Sequence, residues 1–154
     1  MKAVDWIKQH SKLPTTVKPD AAFDAILDLL LTIPCLRDIY VASDDGILIG
    51  HISHHRLSQL LLAEYRPVHT RRQLIERVIA ETAKEIMEPH FETAHIDEEL
   101  DEILHRQLNS GVEEMPVLDD SGLPIGVINL TQILRITRKN HTVITSNNTD
   151  PSSS

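Results

Sequence analysis

"IYVASDDGILIGHISHHRLSQLL" (residues 39–61) and "EMPVLDDSGLPIGVINLTQILRI" (residues 114–136) are two versions of one stretch. Val41, Gly46, Ile49, Gly50, Ile52 and Leu57 stand against Val117, Gly122, Ile125, Gly126, Ile128 and Ile133, at a constant spacing of 76 residues. In each version an apolar run meets a turn pair, Asp45-Gly46 or Ser121-Gly122, and a second apolar run follows. That is the pattern of a β-hairpin. Gly50-His51-Ile52 reads as the end of its second strand, Ser53 as a helix N-cap, and the leucines that follow as a helix.

The repeat extends outward from the hairpin. "PDAAFDAILDLLL" (19–31) matches "IDEELDEILHRQL" (96–108): Phe23, Ile26, Leu27 and Leu31 align with Leu100, Ile103, Leu104 and Leu108, the spacing of one helical face. A short β segment, "TTV" (15–17) or "ETA" (92–94), precedes each helix. Each unit therefore reads β-α-β-β-α. Between the units, "HTRRQLIERVIAETAKEIM" (69–87) carries an apolar stripe from Leu74 to Met87 and a capping box of Thr70 and Gln73. It predicts one linking helix, about 27 Å long at 1.5 Å per residue, ended by Pro89. The last residues, "TSNNTDPSSS" (145–154), are polar and predict a disordered tail.

Composition narrows the function. A chain of 154 residues, 41% hydrophobic, is long enough to bury a core. No apolar run approaches the roughly 20 residues that span a bilayer, and "MKAVDWIKQH" lacks the apolar centre of a signal peptide. The single Cys35 excludes an internal disulfide framework, fits a reducing cytoplasm and, following Pro34, reads as core. The net charge of −8 and the 3% aromatic content argue against nucleic-acid binding. The acidity is uneven: residues 1–77 carry 10 Lys/Arg and 9 Asp/Glu, residues 78–154 carry 5 and 14.

Several residues are candidates for chemistry. His51, His54 and His55 crowd one place, but a strand histidine and two adjacent helical ones diverge, and no further cluster completes a zinc shell. They read as solvated or packing residues, His54 covering a core edge. Arg56 falls at the third helical position, where a carboxylate is favoured. It is either a solvated residue or an anion contact, since helix-start N–H groups already attract phosphate. Arg66, Arg71, Arg72 and Arg77 read as a solvated helix face or a docking surface. Asp97, Glu98, Glu99, Asp101 and Glu102 suit a helix start, and with Glu113 and Glu114 offer oxygen ligands to Mg²⁺ or Ca²⁺ as the alternative. No nucleophilic triad is legible.

The double pattern resembles a tandem pair of CBS domains, the regulatory module named after cystathionine β-synthase. The resemblance covers roughly residues 3–137 and is strongest in "EIMEP" (85–89) and "MPVLDDSGLPIGVINLTQIL" (115–134). In the first repeat Tyr40 stands where proline is usual. The resemblance implies an α+β fold of two β-α-β-β-α repeats packed with pseudo-two-fold symmetry and joined by a long helix. Its divisions are a first repeat over 3–66, the linking helix over 67–87, a second repeat over 83–137 and a tail over 138–154.

It also implies a cytoplasmic, non-catalytic sensor that binds a small anionic ligand in clefts between the repeats. AMP, ADP, ATP and S-adenosylmethionine are the candidate ligands. The alternatives are an Mg²⁺-sensing part of an ion transporter and a ligand-free interaction module. A homodimer and a regulated partner protein or transporter are implied, with neither nucleic-acid binding nor membrane insertion. The implied ligand residues are Thr16, Val17, Tyr40, Val41, Ser53 and Arg56 in the first repeat. In the second they are Thr93, Met115, Pro116, Val117, Asn129, Thr131 and Gln132. The family's ribose pattern ends in Asp; here Arg56 and Gln132 hold that place, and Asn129 replaces the hydroxyl residue that Ser53 keeps. Arg accepts no hydrogen bond and Gln has one carbonyl. The first cleft is therefore expected to hold a phosphate or carboxylate near Ser53 and Arg56, and the second to be the better nucleoside site.

Overall fold

A computed structural model describes residues 1–10, 12–61 and 81–147, with side chains to residue 140. The elements in the first half are α1 (Ala3–His10), β1 (Thr16–Val17), α2 (Phe23–Thr32), β2 (Asp38–Ala42), β3 (Leu48–Ser53) and α3 (His54–Leu61). The second half has α4 (Ala83–Ile86), β4 (Ala94–His95), α5 (Leu100–Ser110), β5 (Glu114–Leu118), β6 (Pro124–Asn129) and α6 (Leu130–Asn147).

Two three-stranded sheets carry the repeat. Each has a parallel pair, β1–β2 or β4–β5, and an antiparallel hairpin, β2–β3 or β5–β6. Even the irregularities are repeated: the register shifts between Val41 and Ala42 and again between Val117 and Leu118. Gly46 and Gly122 close the hairpins at φ 84° and 82°, a conformation that glycine adopts without steric cost.

The core is double. Phe23, Ile26, Ile39, Val41, Ile52 and Leu57 fill the first, with Ala83 and Ile86 of α4; Leu100, Ile103, Met115, Val117 and Ile128 fill the second, with Ala3, Trp6 and Ile7 of α1. Each short leading helix thus packs on the repeat that it does not precede. The backbone is tied across in the same way. Ala83 N–H donates to Ala21 O and Lys84 N–H to Pro19 O, both 2.9 Å; Ala3 N–H donates to Glu98 O at 2.9 Å and Leu100 N–H to Met1 O at 2.8 Å. A cut at residue 66 therefore divides the sequence but not the cores. Gly50 and Gly126 let these exchanged segments approach: a Cβ built at Gly50 would lie 2.7 Å from Met87 Cγ, and one at Gly126 would lie 2.6 Å from Ile7 Cδ1.

Three expectations are corrected. Residues 67–80 of the expected linking helix lie outside the described residues. In its described end, Thr82 is extended (φ −98°, ψ 168°) rather than helical and bridges to Ala22. Helix α4 starts at Ala83, where the Glu85 carboxylate accepts from Thr82 N–H at 3.4 Å and from its hydroxyl at 3.0 Å. The tail expected from residue 138 is helical to Asn147, a continuation of α6, whose Ile133 and Ile136 pack on the second core; residues 148–154 lie outside the described residues. Cys35 is exposed rather than core: it sits in the turn after α2 at φ 61°.

Candidate functional site

Equivalent positions of the two repeats meet at one place. Arg37 Nη1 donates to Glu113 Oε2 at 2.9 Å, and these residues are 76 apart, the spacing of the repeat. Asp38 and Glu114, the next pair at that spacing, are close enough for the Asp38 charge to act on Glu114. A position that touches its own counterpart lies on the axis relating the two copies. The pseudo-two-fold axis therefore runs between the starts of β2 and β5, and a cleft opens on either side.

The second cleft is a cavity of about 340 Å³ lined by Lys12, Pro34 to Arg37, Glu113, Glu114, Val127, Asn129, Thr131, Gln132 and Arg135. Its volume falls in the range of small-ligand sites, roughly 300–1,000 Å³. Three cations, Lys12, Arg37 and Arg135, face a groove that also holds two carboxylates. Asn129 Oδ1 accepts from Gln132 N–H at 3.2 Å and caps α6. Gln132 Nε2 reaches across to His10 O at 3.4 Å.

The first cleft is a cavity of about 390 Å³ lined by Tyr40, His51, Glu88, His90, Phe91, Glu92, Val112 and Glu114. Tyr40 and His51 face each other across β2 and β3, their rings stacked with centroids 5.0 Å apart. His51 Nε2 is 2.7 Å from Asp38 Oδ1. Burial pushes the Tyr40 hydroxyl far up from its ordinary range, and the charges of Glu114 and Asp38 push the same way. Burial also raises the Glu114 carboxyl, aided by Asp38 and opposed by a hydrogen bond from Asn129 and by the charges of Lys12 and His51.

Arg56 is not on this cavity. Its backbone N–H is capped by Ser53 Oγ at 3.0 Å, and its Nε donates to Ile86 O at 3.3 Å, across to the exchanged helix α4. Gln132 does the corresponding thing toward α1 in the second repeat. Both residues in the ribose-acid place have thus become donors to a backbone carbonyl. Neither of these two cavities is lined by Ser53 or Arg56, and the described lining of the first cleft holds three carboxylates.

The CBS domain family model matches residues 83–139. A CBS domain-containing protein of Thermotoga maritima is 32% identical over 90% of this chain and 95% of its own, with a TM-score of 0.70. The chain belongs to the CBS-domain proteins. CBSX2 of Arabidopsis thaliana, solved in complex with AMP, shares the fold at 20% identity, with 91% of this chain and 98% of that one covered and a TM-score of 0.69. The cytosolic domain of the Mg²⁺ channel MgtE, solved with ATP, shares it at 19% identity over 80% of this chain and 44% of that one, with a TM-score of 0.60. No curated protein matches the chain in sequence. CBS-domain pairs are generally regulatory.

Against this CBS frame the expected ligand residues divide. Asn129, Thr131 and Gln132 line the second cleft and Tyr40 the first. Val41, Met115, Pro116 and Val117 are buried in their strands; Thr16, Val17, Ser53, Arg56 and Thr93 line neither cleft. Lys12, Arg37 and Arg135, and Glu88, Phe91 and Glu92, were not singled out as ligand residues from the sequence. The available signal for Arg37 was its place one repeat before Glu113. Lys12 and Glu88 to Glu92 sit between a leading helix and the first strand, where no periodicity marks a residue. Two of the acidic group are paired: Glu98 with Arg106 at 2.8 Å and Glu99 with the N-terminal amine at 3.3 Å. His95, Asp97 and Asp120 bring ligating atoms within 4.8 Å of one another at the exposed edge of the second sheet. No described helix is long and apolar enough to cross a membrane.

Proposed function

We propose that this CBS-domain protein is a non-catalytic cytoplasmic regulatory module that binds an adenine nucleotide or a related anionic ligand in the second cleft. The observation that carries this reading is the convergence of Lys12, Arg37 and Arg135 on the groove beside Asn129, Thr131 and Gln132. Arg supplies a planar fork that matches phosphate oxygens, and Lys a mobile point charge. Asn and Gln amides both donate and accept, so they suit the edge of a base or a sugar hydroxyl. The AMP and ATP complexes of the two neighbours support the ligand class.

Because Pro34 to Arg37 come from one repeat and Asn129 to Arg135 from the other, a ligand there contacts both. Any difference in its affinity for two arrangements of the repeats becomes a signal to a partner protein or to a second copy of the chain. The test is a thermal-shift and calorimetric screen of AMP, ADP, ATP and S-adenosylmethionine. Saturable binding of a nucleotide, weakened at least tenfold by Arg135→Ala, is expected; no binding by any of the four removes the reading. Divalent-cation sensing has the His95, Asp97 and Asp120 cluster in its favour. It requires that Mg²⁺ stabilise the protein beyond NaCl of equal ionic strength, and that Asp120→Asn abolish the difference.

A further inference from the structure

The two clefts are equivalent by the repeat and opposite in chemistry. Between α1 and β1 the second cleft receives Lys12; between α4 and β4 the first receives Glu88, His90, Phe91 and Glu92. At the repeat-equivalent strand positions, Pro116 and Val127 of the second repeat correspond to Tyr40 and His51 of the first. The described lining of the first cleft holds three carboxylates and neither Lys nor Arg.

We infer that the first cleft takes a small organic cation with an apolar body, a quaternary ammonium or a protonated amine. This rests on the reading that the clefts are ligand sites, and it assigns them opposite ligands. Phe91, partly exposed, supplies the open aromatic wall, backed by the buried Tyr40 ring. Tyr40, 2% exposed, stacks on His51 and meets the Phe91 ring at 59° with centroids 5.8 Å apart. A cation over such rings is attracted by their quadrupole, and a desolvated site strengthens the attraction. His51 is fixed by Asp38, so its ring keeps its place in the stack. Glu88 and Glu92 stand at the exposed side of the cavity and Glu114 at its half-buried side, on the axis and facing both clefts. Burial and Asp38 disfavour the Glu114 charge, and a bound cation relieves that cost. Phosphate, by contrast, would meet three carboxylates, with no Lys or Arg in the described lining to offset them.

The test uses the whole chain. Choline is titrated calorimetrically against its uncharged isostere 3,3-dimethylbutan-1-ol at constant ionic strength, and AMP is titrated separately. Choline is expected to bind saturably and the isostere at least tenfold more weakly. The exposed double variant Glu88→Gln/Glu92→Gln should lower choline affinity at least tenfold and leave AMP affinity unchanged. No saturable choline signal, equal binding of the isostere, or choline binding unaltered in the double variant would each overturn the inference. AMP binding without choline binding defeats this inference alone; choline binding without nucleotide binding defeats the proposed nucleotide reading alone; neither binding defeats both.

Discussion

Arg37 and Glu113 are equivalent residues of the two repeats, and they form an ion pair of 2.9 Å. In a perfect two-fold the pair would be two identical charges in repulsion. Divergence of the repeats has turned it into an attraction and, one residue on, has left Asp38 close enough to Glu114 to raise its carboxyl. The axis is therefore where the two halves are least alike electrostatically, and the clefts inherit that difference.

The pair is half-exposed on both sides (58% and 51%). An exposed pair of this kind contributes about 0–1 kcal/mol. Arg37→Ala should then lower stability by less than about 1 kcal/mol in urea, while weakening nucleotide binding in the second cleft severalfold by removing one of its three cations. Equal nucleotide affinity in Arg37→Ala and the parent protein would confine Arg37 to a structural role.

Arg56 is explained by Ile86. An acid at the third helical position would suit the helix end, so Arg56→Asp looks stabilising from the sequence alone. The structure reverses the sign. Asp would lose the bond to Ile86 O and set a carboxylate near that carbonyl, at a cost of about 1–2 kcal/mol. Chemical denaturation checks this, and the nucleotide affinity of the second cleft should not move. Stabilisation by Arg56→Asp would show that the Nε contact contributes nothing.

Much of the fold was legible because a spacing of 76 residues preserves apolar alternation in both hairpins and one of 77 preserves the same helical face in α2 and α5. The exchange of leading helices was not. Ala3, Trp6 and Ile7 and Ala83 and Ile86 look alike as amphipathic segments, and nothing local says which sheet they cover. The stripe over 69–87 likewise gave no sign that Thr82 is extended, since that conformation goes with a bridge to distant Ala22. The polar stretch after residue 137 read as disordered because polar residues are tolerated along a helix already nucleated by Ile133 and Ile136. In the clefts, Asn129 and Gln132 were singled out through the resemblance to the family's ribose pattern, and both line the second cavity. Lys12, Phe91 and Glu92 were not, because they sit in connecting segments whose position is set by tertiary contacts.

Glu114 gives a pH dependence with a definite sign. Its carboxyl is raised in the folded protein by burial first and Asp38 second. The folded state therefore binds this proton more tightly than the unfolded chain. Its destabilising contribution is fully present above the folded pKa and is relieved as pH falls toward the ordinary carboxylate value of about 4.5. Glu114→Gln should raise the melting temperature at pH 7, and the gain should shrink steadily as the pH is lowered to that value. A gain that is constant with pH would mean that packing, not charge, is responsible.

We propose a homodimer, and the leucines of α2 and α5 set its test. Leu31 and its counterpart Leu108 are 75% and 69% exposed, and Leu134 on α6 is 69% exposed. Beside Leu31, a cavity of about 590 Å³ between α2 and α3 is lined by Leu27, Leu30, Leu36, Leu57 and Leu61. Leu29 and Leu30 pack partly on the first core, so Leu31 is the member of that leucine run left outward. Leucines at equivalent places of two repeats form a face that a second copy can match with its own, the self-complementary contact of a two-fold dimer. Full burial of one leucine is favourable by about 1.5–3 kcal/mol, so a face with several on each copy can hold a dimer at micromolar concentration. Sedimentation equilibrium should show a dimer for the parent protein. Leu31→Glu with Leu108→Glu should shift it to a monomer that keeps its circular dichroism spectrum, because both side chains are solvent-facing in the single chain. A parent protein that is monomeric at micromolar concentration, or a double variant that remains dimeric, would place the contact elsewhere or remove it.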